Sequence, residues 1–290
     1  MIKHLVVYQT INEKQTFNVR EALTSSELET IDKCISALSK FEGFRTLFRM
    51  VLDNYLDLTQ YLDKEESKQI ESVKKLGYHT NRLTINYLSS AKLFIEHTEK
   101  KIKSLCGKNS QEFKEWKLTT KKEFETYFSY RFLYHLRNFT QHYGFPIGAI
   151  NKGYVTEGKH DITLFFVRDA LITNNYDWHK DVIKDLEGAP EKFPIFKVIN
   201  EYNGCMARLY QKALSLFAKE IVKDLESYIK LLSSKNLQGS PYCITFEKRE
   251  DIGQRDKYNN ISPLPLDEVY DCFKELQEFK VVKLLQGNKK

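Results

Sequence analysis

The spacing of apolar residues outlines the elements. Residues 3–11, KHLVVYQTI, alternate and are rich in β-branched side chains, which predicts a strand. The following TFNVREAL either pairs with it or leads away from it. A 3.6-residue period then begins at TSSELETIDKCISALSKF, behind a capping box of Ser26 with Glu29, and runs with a bend near Gly43 to about Leu62. The stretch from Asp63 to Cys106 is poor in breakers and predicts one long helix stopped by Gly107. Asn109 or Ser110 caps the next, which continues to Tyr143 and ends at Gly144 and Pro146.

Beyond that point the period changes. Two alternating runs within residues 150–172 flank Glu157–Gly158, a hairpin signal. YDWHKDVIKDLEG predicts a short helix, and residues 191–235 predict a long one with Gly204 inside it. PYCITFEK reads as a strand, ISPLPLDE closes a polar loop, and a last helix starts at LDEVYDCF. The expected fold class is mainly α, an antiparallel long-helix bundle with a small β-hairpin or sheet appendage. The expected segments are 1–22, an N-terminal strand; 23–148, a helical bundle; and 149–290, a hairpin plus helical extension packed on that bundle.

Composition adds few constraints. With 290 residues, 41% of them hydrophobic, the chain can bury a sizeable core. The formal net charge is only +6, but residues 100–122 hold eight Lys against two Glu, so the whole excess fits there. Such a patch attracts phosphates, or is simply a solvated corner between helices. Five cysteines lie at 34, 106, 205, 243 and 272 with no C-x-x-C pair, which fits neither a disulfide framework nor a zinc site and suits a reducing cytoplasm. The N-terminal apolar run is too short for a signal peptide, and nothing approaches a transmembrane length, so no membrane partner is expected. Gly-rich phosphate loops, nucleophile elbows and metal-ligand clusters are missing from the sequence, and no cofactor or metal is expected.

The most informative stretch is YHLRNFTQHYGFPIG, residues 134–148. On a helical wheel Phe128, Phe132, Leu133, Leu136 and Phe139 share one arc. Tyr127, Tyr130, Arg131, Tyr134, Asn138, Gln141 and His142 fill the opposite arc, with Arg137 at its edge and no acid from 127 to 142. A solvent face would carry Glu and Lys. A face of Tyr, Arg, Asn, Gln and His is a second buried face, a protein contact, or an anion site.

Arg137–Asn138–x–x–x–His142 resembles the R-x(4–6)-H motif of the HEPN superfamily, placed near the end of a long helix as in that family. The resemblance covers about residues 66–148. It implies a metal-independent endoribonuclease, a homodimer with two motifs meeting across the two-fold axis, and RNA as substrate. It implies His142 as general acid or base, Arg137 holding charge on the phosphorane, and Asn138 orienting the phosphate or His142. Tyr134, Gln141 and Arg131 would line the approach, and Lys121 and Lys122 would attract RNA without reading sequence. A bacterial toxin or phage-defence effector is the implied setting, with an antitoxin or defence-system protein as partner. The other reading of the same face is a HEPN-type module that binds nucleic acid or protein without cutting. In family toxins silenced by tyrosine adenylylation the modified Tyr follows the His by two places; here Gly144 stands there and Tyr143 precedes it, so that control is not implied. Arg137 and His142 lie roughly 140° apart around the helix and about 7.5 Å along it, so one copy closes poorly around a phosphate.

Overall fold

A computed structural model describes residues 1–11, 14–66, 72–155, 159–236, 240–252, 254 and 257–281. Among these the chain is mainly helical, with two small antiparallel sheets. In chain order the elements are β1 (Ile2–Ile11), β2 (Lys14–Ala22), α1 (Ser25–Glu66), α2 (Val73–Cys106), α3 (Gln111–Thr126), α4 (Phe128–His142), β3 (Ala149–Val155) and β4 (Lys159–Val167). They continue with α5 (Arg168–Ile172), α6 (Lys180–Glu187), β5 (Lys192–Pro194), α7 (Ile195–Ser234), β6 (Ser240–Phe246), β7 (Tyr258–Pro263) and α8 (Leu266–Glu278). Two compact units form: residues 1–43 with 214–290, and residues 44–213.

In the first unit β2, β1, β6 and β7 make a four-stranded sheet in that order. Val6, Ile244 and Phe246 are its buried centre, with Val19, Tyr242 and Ile261 against them. Thr24, not Ser26, caps α1. Its backbone N–H and hydroxyl both donate to Glu27 Oε2, at 2.7 and 2.9 Å, and Glu27 N–H returns a bond to Thr24 Oγ1 at 3.3 Å. Lys235 Nζ, 2.5 Å from Glu27, fixes the box two residues earlier than the sequence pattern places it. The polar loop expected before the last helix contains β7; YNNISP lacks alternation because that strand is exposed along most of its length at the sheet edge.

The second unit holds α2 to α6, the sheet β3-β4-β5 and the adjoining parts of α1 and α7. α2 buries Leu76, Thr80, Leu83, Tyr87, Ala91, Phe94, Thr98 and Ile102, a three-to-four-residue repeat along its length. It starts at Val73, and Asp63 to Glu66 belong to α1, so the single helix expected from 63 does not form. Gly107 ends α2 at φ +92°, its N–H bonding Lys103 O at 3.0 Å, and Ser110 Oγ caps α3 by accepting from Phe113 N–H at 3.1 Å. β3 and β4 pair as the hairpin signal suggests; its turn, Glu157–Gly158, lies outside the described residues. The second alternating run stops being strand at Val167. Arg168 N–H and Nη1 bond Glu191 O and Ala189 O at 2.8 and 3.0 Å and turn the chain into α5.

The helix expected to run from residue 109 to 143 is two helices. The break is at Tyr127, which is extended (φ −113°, ψ 121°), with neither Gly nor Pro nearby. Side chains from afar hold it. Arg131 Nη1 donates to the freed carbonyls of Phe124 and Glu125 at 3.1 and 3.4 Å, and its Nε pairs with Asp185. Arg208 lies over the Tyr127 ring at 4.3 Å and grips the buried Glu123 carboxylate with two bonds of 2.9 and 2.7 Å.

Candidate functional site

The rotation of α4 is set by aromatic packing. Phe132 meets Phe166 edge-on at 5.1 Å, and Phe139 stacks on Trp178 at 5.4 Å. Leu133 and Leu136 are buried on the same side. Tyr130, assigned to the opposite arc by the wheel, is buried too, its ring 5.8 Å from that of Tyr202 on α7. The face therefore divides along its length. At Tyr130 and Arg131 it is a second packed side; from Tyr134 onward it emerges.

At that emerging end Arg137 and Asn138 are half-buried, and Gln141 and His142 are exposed on the last turn. Arg137 Nη1 donates to Gln141 Oε1, while Arg137 Nε is buried with no hydrogen-bond partner among the described residues. Asn138 bridges two elements. Its Oδ1 accepts from Lys92 Nζ of α2 at 2.6 Å, and its amide bonds Tyr176, whose hydroxyl donates to His135 O at 3.4 Å. Lys92 Nζ also sits 5.0 Å from the centre of the Tyr134 ring. Burial, then the Glu96 and Glu99 carboxylates, raises the Tyr134 phenol above its ordinary range.

Tyr134 also lines a groove of about 240 Å³, together with Ile95, Glu99, Lys117, Lys121, Phe124 and Tyr130 among others. Lys121 stands in it, 3.6 Å from Glu125, and Lys122 is exposed on α3. The lysine-rich stretch is partly neutralised: Lys117 lies 3.2 Å from Glu99. Lys101 lies 4.7 Å from the centre of the Phe44 ring, its amine pushed down by burial. Of the proposed site residues, Tyr134, Arg137, Asn138 and Gln141 thus gather at the junction of α4 and α2, and Lys121 lines the groove beside them. His142 stands one turn beyond Asn138. Arg131 is instead committed to Asp185 and the α3 carbonyls.

Sequence reasoning missed Lys92, Glu96 and Tyr176. Lys92 follows the buried Ala91 within the apolar repeat of α2, and its partner is 46 residues away, so spacing offers no signal. His135 stacks on His179 at 5.5 Å and is held below the usual imidazole range by burial first, then by His179 and Lys92. It is therefore predominantly neutral at neutral pH. Burial pushes the Cys34 and Cys205 thiols up to about 12, which leaves neither as a nucleophile at neutral pH. Among the described residues no group of three or more His, Cys, Asp or Glu is placed to hold a metal, and no helix is long and apolar enough to cross a membrane. No family model, curated protein or solved structure matches the chain.

Proposed function

We propose that the chain is a metal-independent endoribonuclease of HEPN type. In this reading α2, α3 and α4 form the HEPN-like bundle, two copies bring their α4 ends together, and the enzyme serves as a toxin or phage-defence effector. The observation that carries the reading is the end of α4. Exposed His142 follows a half-buried Arg137 whose Nε has no hydrogen-bond partner among the described residues, in a strip where Lys92 adds a second cation.

The chemistry needs only these parts. The ribose 2′-OH attacks the adjacent phosphorus, the bond to O5′ breaks, and a 2′,3′-cyclic phosphate and a 5′-OH result. His142 of one protomer takes the 2′-OH proton, and the imidazolium of its partner's copy protonates O5′. Arg137 stabilises the doubly charged phosphorane with its fixed fork of donors. Asn138 acts on the phosphate through its amide, which Lys92 and Tyr176 hold in place.

A second reading, binding without cleavage, is favoured by the Arg137–Gln141 and Lys92–Asn138 bonds, which tie both motif side chains within the chain. The test is cleavage of a labelled single-stranded RNA in excess chelator, with toxicity of expression in a bacterial host scored alongside. Arg137→Ala and His142→Ala are each expected to lower the rate by on the order of 10²-fold or more and to abolish toxicity. RNA binding or toxicity that survives in both variants supports the binding module. Absence of both cleavage and salt-dependent RNA binding refutes the two readings together.

A further inference from the structure

α2 contributes a cation that the motif does not contain. The Lys92 side chain is only 13% exposed and is shared between Asn138 and Glu96. Asn138 needs a donor, which a neutral amide would supply. Glu96 is 3.8 Å away, beyond hydrogen-bond length, and its side chain is half in solvent. Burial pushes the Lys92 amine below the ordinary lysine range against the pull of the Glu96 carboxylate, and the Arg137 guanidinium adds to the push. Arg137 for its part has a neutral partner in Gln141 and an unused, buried Nε. Two like charges share a half-buried strip in which Glu96 pairs with Lys92 at 3.8 Å while Arg137 has no carboxylate partner among the described residues, an arrangement that a bound anion relieves.

The groove beside Tyr134 says which kind of anion. The Tyr134 ring faces Lys92 and also lines the groove, together with Phe124, the edge of the buried Tyr130, and Lys117 and Lys121, whose charges Glu99 and Glu125 partly offset. A free phosphate has no use for aromatic surface; a nucleotide does, because its base stacks on a ring beside its phosphate.

We propose that Lys92 contacts a phosphate oxygen of single-stranded RNA directly, sharing one phosphodiester with Arg137 while the adjoining base packs in the groove beside Tyr134. The naming of RNA rests on the ribonuclease reading; the anion site itself does not. The ammonium has three donors, and the bond to Asn138 occupies one, leaving donors for the phosphate.

The experiment uses the full chain and a short 2′-O-methyl RNA, which lacks the attacking hydroxyl and so reports affinity without cleavage. Anisotropy is followed from about 50 to 200 mM salt. Lys92→Gln keeps a donor for Asn138 and removes the charge; it is expected to weaken binding on the order of tenfold and to flatten the logarithmic salt slope by about one. Lys92→Arg is expected to keep most of both. Glu96→Gln removes the competing carboxylate and is expected to tighten binding severalfold, a gain that misfolding cannot produce. Unchanged affinity and slope in Lys92→Gln, with wild type still cutting RNA, overturns the role of Lys92 and leaves the ribonuclease reading standing. Weaker binding in Lys92→Gln by a chain that cuts no RNA supports the site and overturns the nuclease. Inorganic phosphate that displaces the RNA at matched ionic strength, as well as an equal concentration of nucleotide does, overturns the nucleotide assignment. A wild-type chain that does not bind the RNA overturns the proposal outright.

Discussion

The pair formed by Glu123 and Arg208 sets the break between α3 and α4, and its two halves differ in burial enough to predict unequal costs. The Glu123 side chain is 5% exposed, whereas that of Arg208 is 41% exposed. Arg208→Ala strands a carboxylate that water cannot reach, at a cost of about 3–5 kcal/mol. It also removes the cation above Tyr127, worth about 0.5–1 kcal/mol. Glu123→Ala leaves a guanidinium that can turn into solvent, so the loss is about 1–2 kcal/mol, between the values for charged hydrogen bonds and for exposed pairs. The double substitution Glu123→Leu with Arg208→Met removes both charges and fills similar volume, and is expected within about 1 kcal/mol of wild type. Urea denaturation followed by tryptophan fluorescence reads this cleanly: the two tryptophans, Trp116 and Trp178, both belong to the 44–213 unit and are buried there. Equal costs for the two alanine variants, or a larger cost for Glu123→Ala, would show that desolvation of the carboxylate is not what makes the pair matter.

Two further outcomes are expected. A Cβ on Gly148 would stand 2.7 Å from Val167 Cγ2 and 2.8 Å from Val167 Cβ, so Gly148→Ala should cost about 1–3 kcal/mol by the same fluorescence assay; an unchanged urea midpoint would mean the site has room that the contact distances deny. The Lys235 ammonium, then the Thr24 amide, holds Glu27 at about 2 against an ordinary 4.5. A depressed carboxylate stabilises the fold above its unfolded value and loses that contribution as pH falls. Protection from hydrogen exchange in the first turns of α1, relative to the intrinsic rate at each pH, should therefore fall between about pH 4.5 and 2, and Glu27→Gln should flatten that dependence; an unchanged pH profile in the variant contradicts the assignment.

What the sequence made legible is what neighbours along the chain decide. The Gly107 stop and the Ser110 cap each depend on residues within a turn or two, and each appears where its pattern lies. Likewise Arg137, Asn138 and His142 share one helix, so their grouping could be read from spacing. The break at Tyr127 could not be, because Arg208 and Glu123 are 85 residues apart and Arg131 and Asp185 are 54 apart. Local propensity favours a continuous helix there, and two tertiary ion pairs override it.

The same limit explains the ambiguity of the polar, aromatic face of α4, and the structure makes that ambiguity a matter of position. A helical wheel projects the helix onto a circle, so it merges residues that differ only in height along the axis. Tyr130 and Tyr134 fall on one arc, yet the first is buried beside Tyr202 and the second borders a groove. Arg131 and Arg137 are both arginines near that arc, yet the first is consumed by Asp185 and two carbonyls while the second bonds only the neutral Gln141 and keeps a buried Nε with no hydrogen-bond partner among the described residues. A buried face and a half-buried polar stretch that emerges toward solvent are thus successive parts of one helix. The proposed contact with an external phosphate belongs to the second, where Lys92 crosses from α2 and where no residue of α4 supplies a compensating acid.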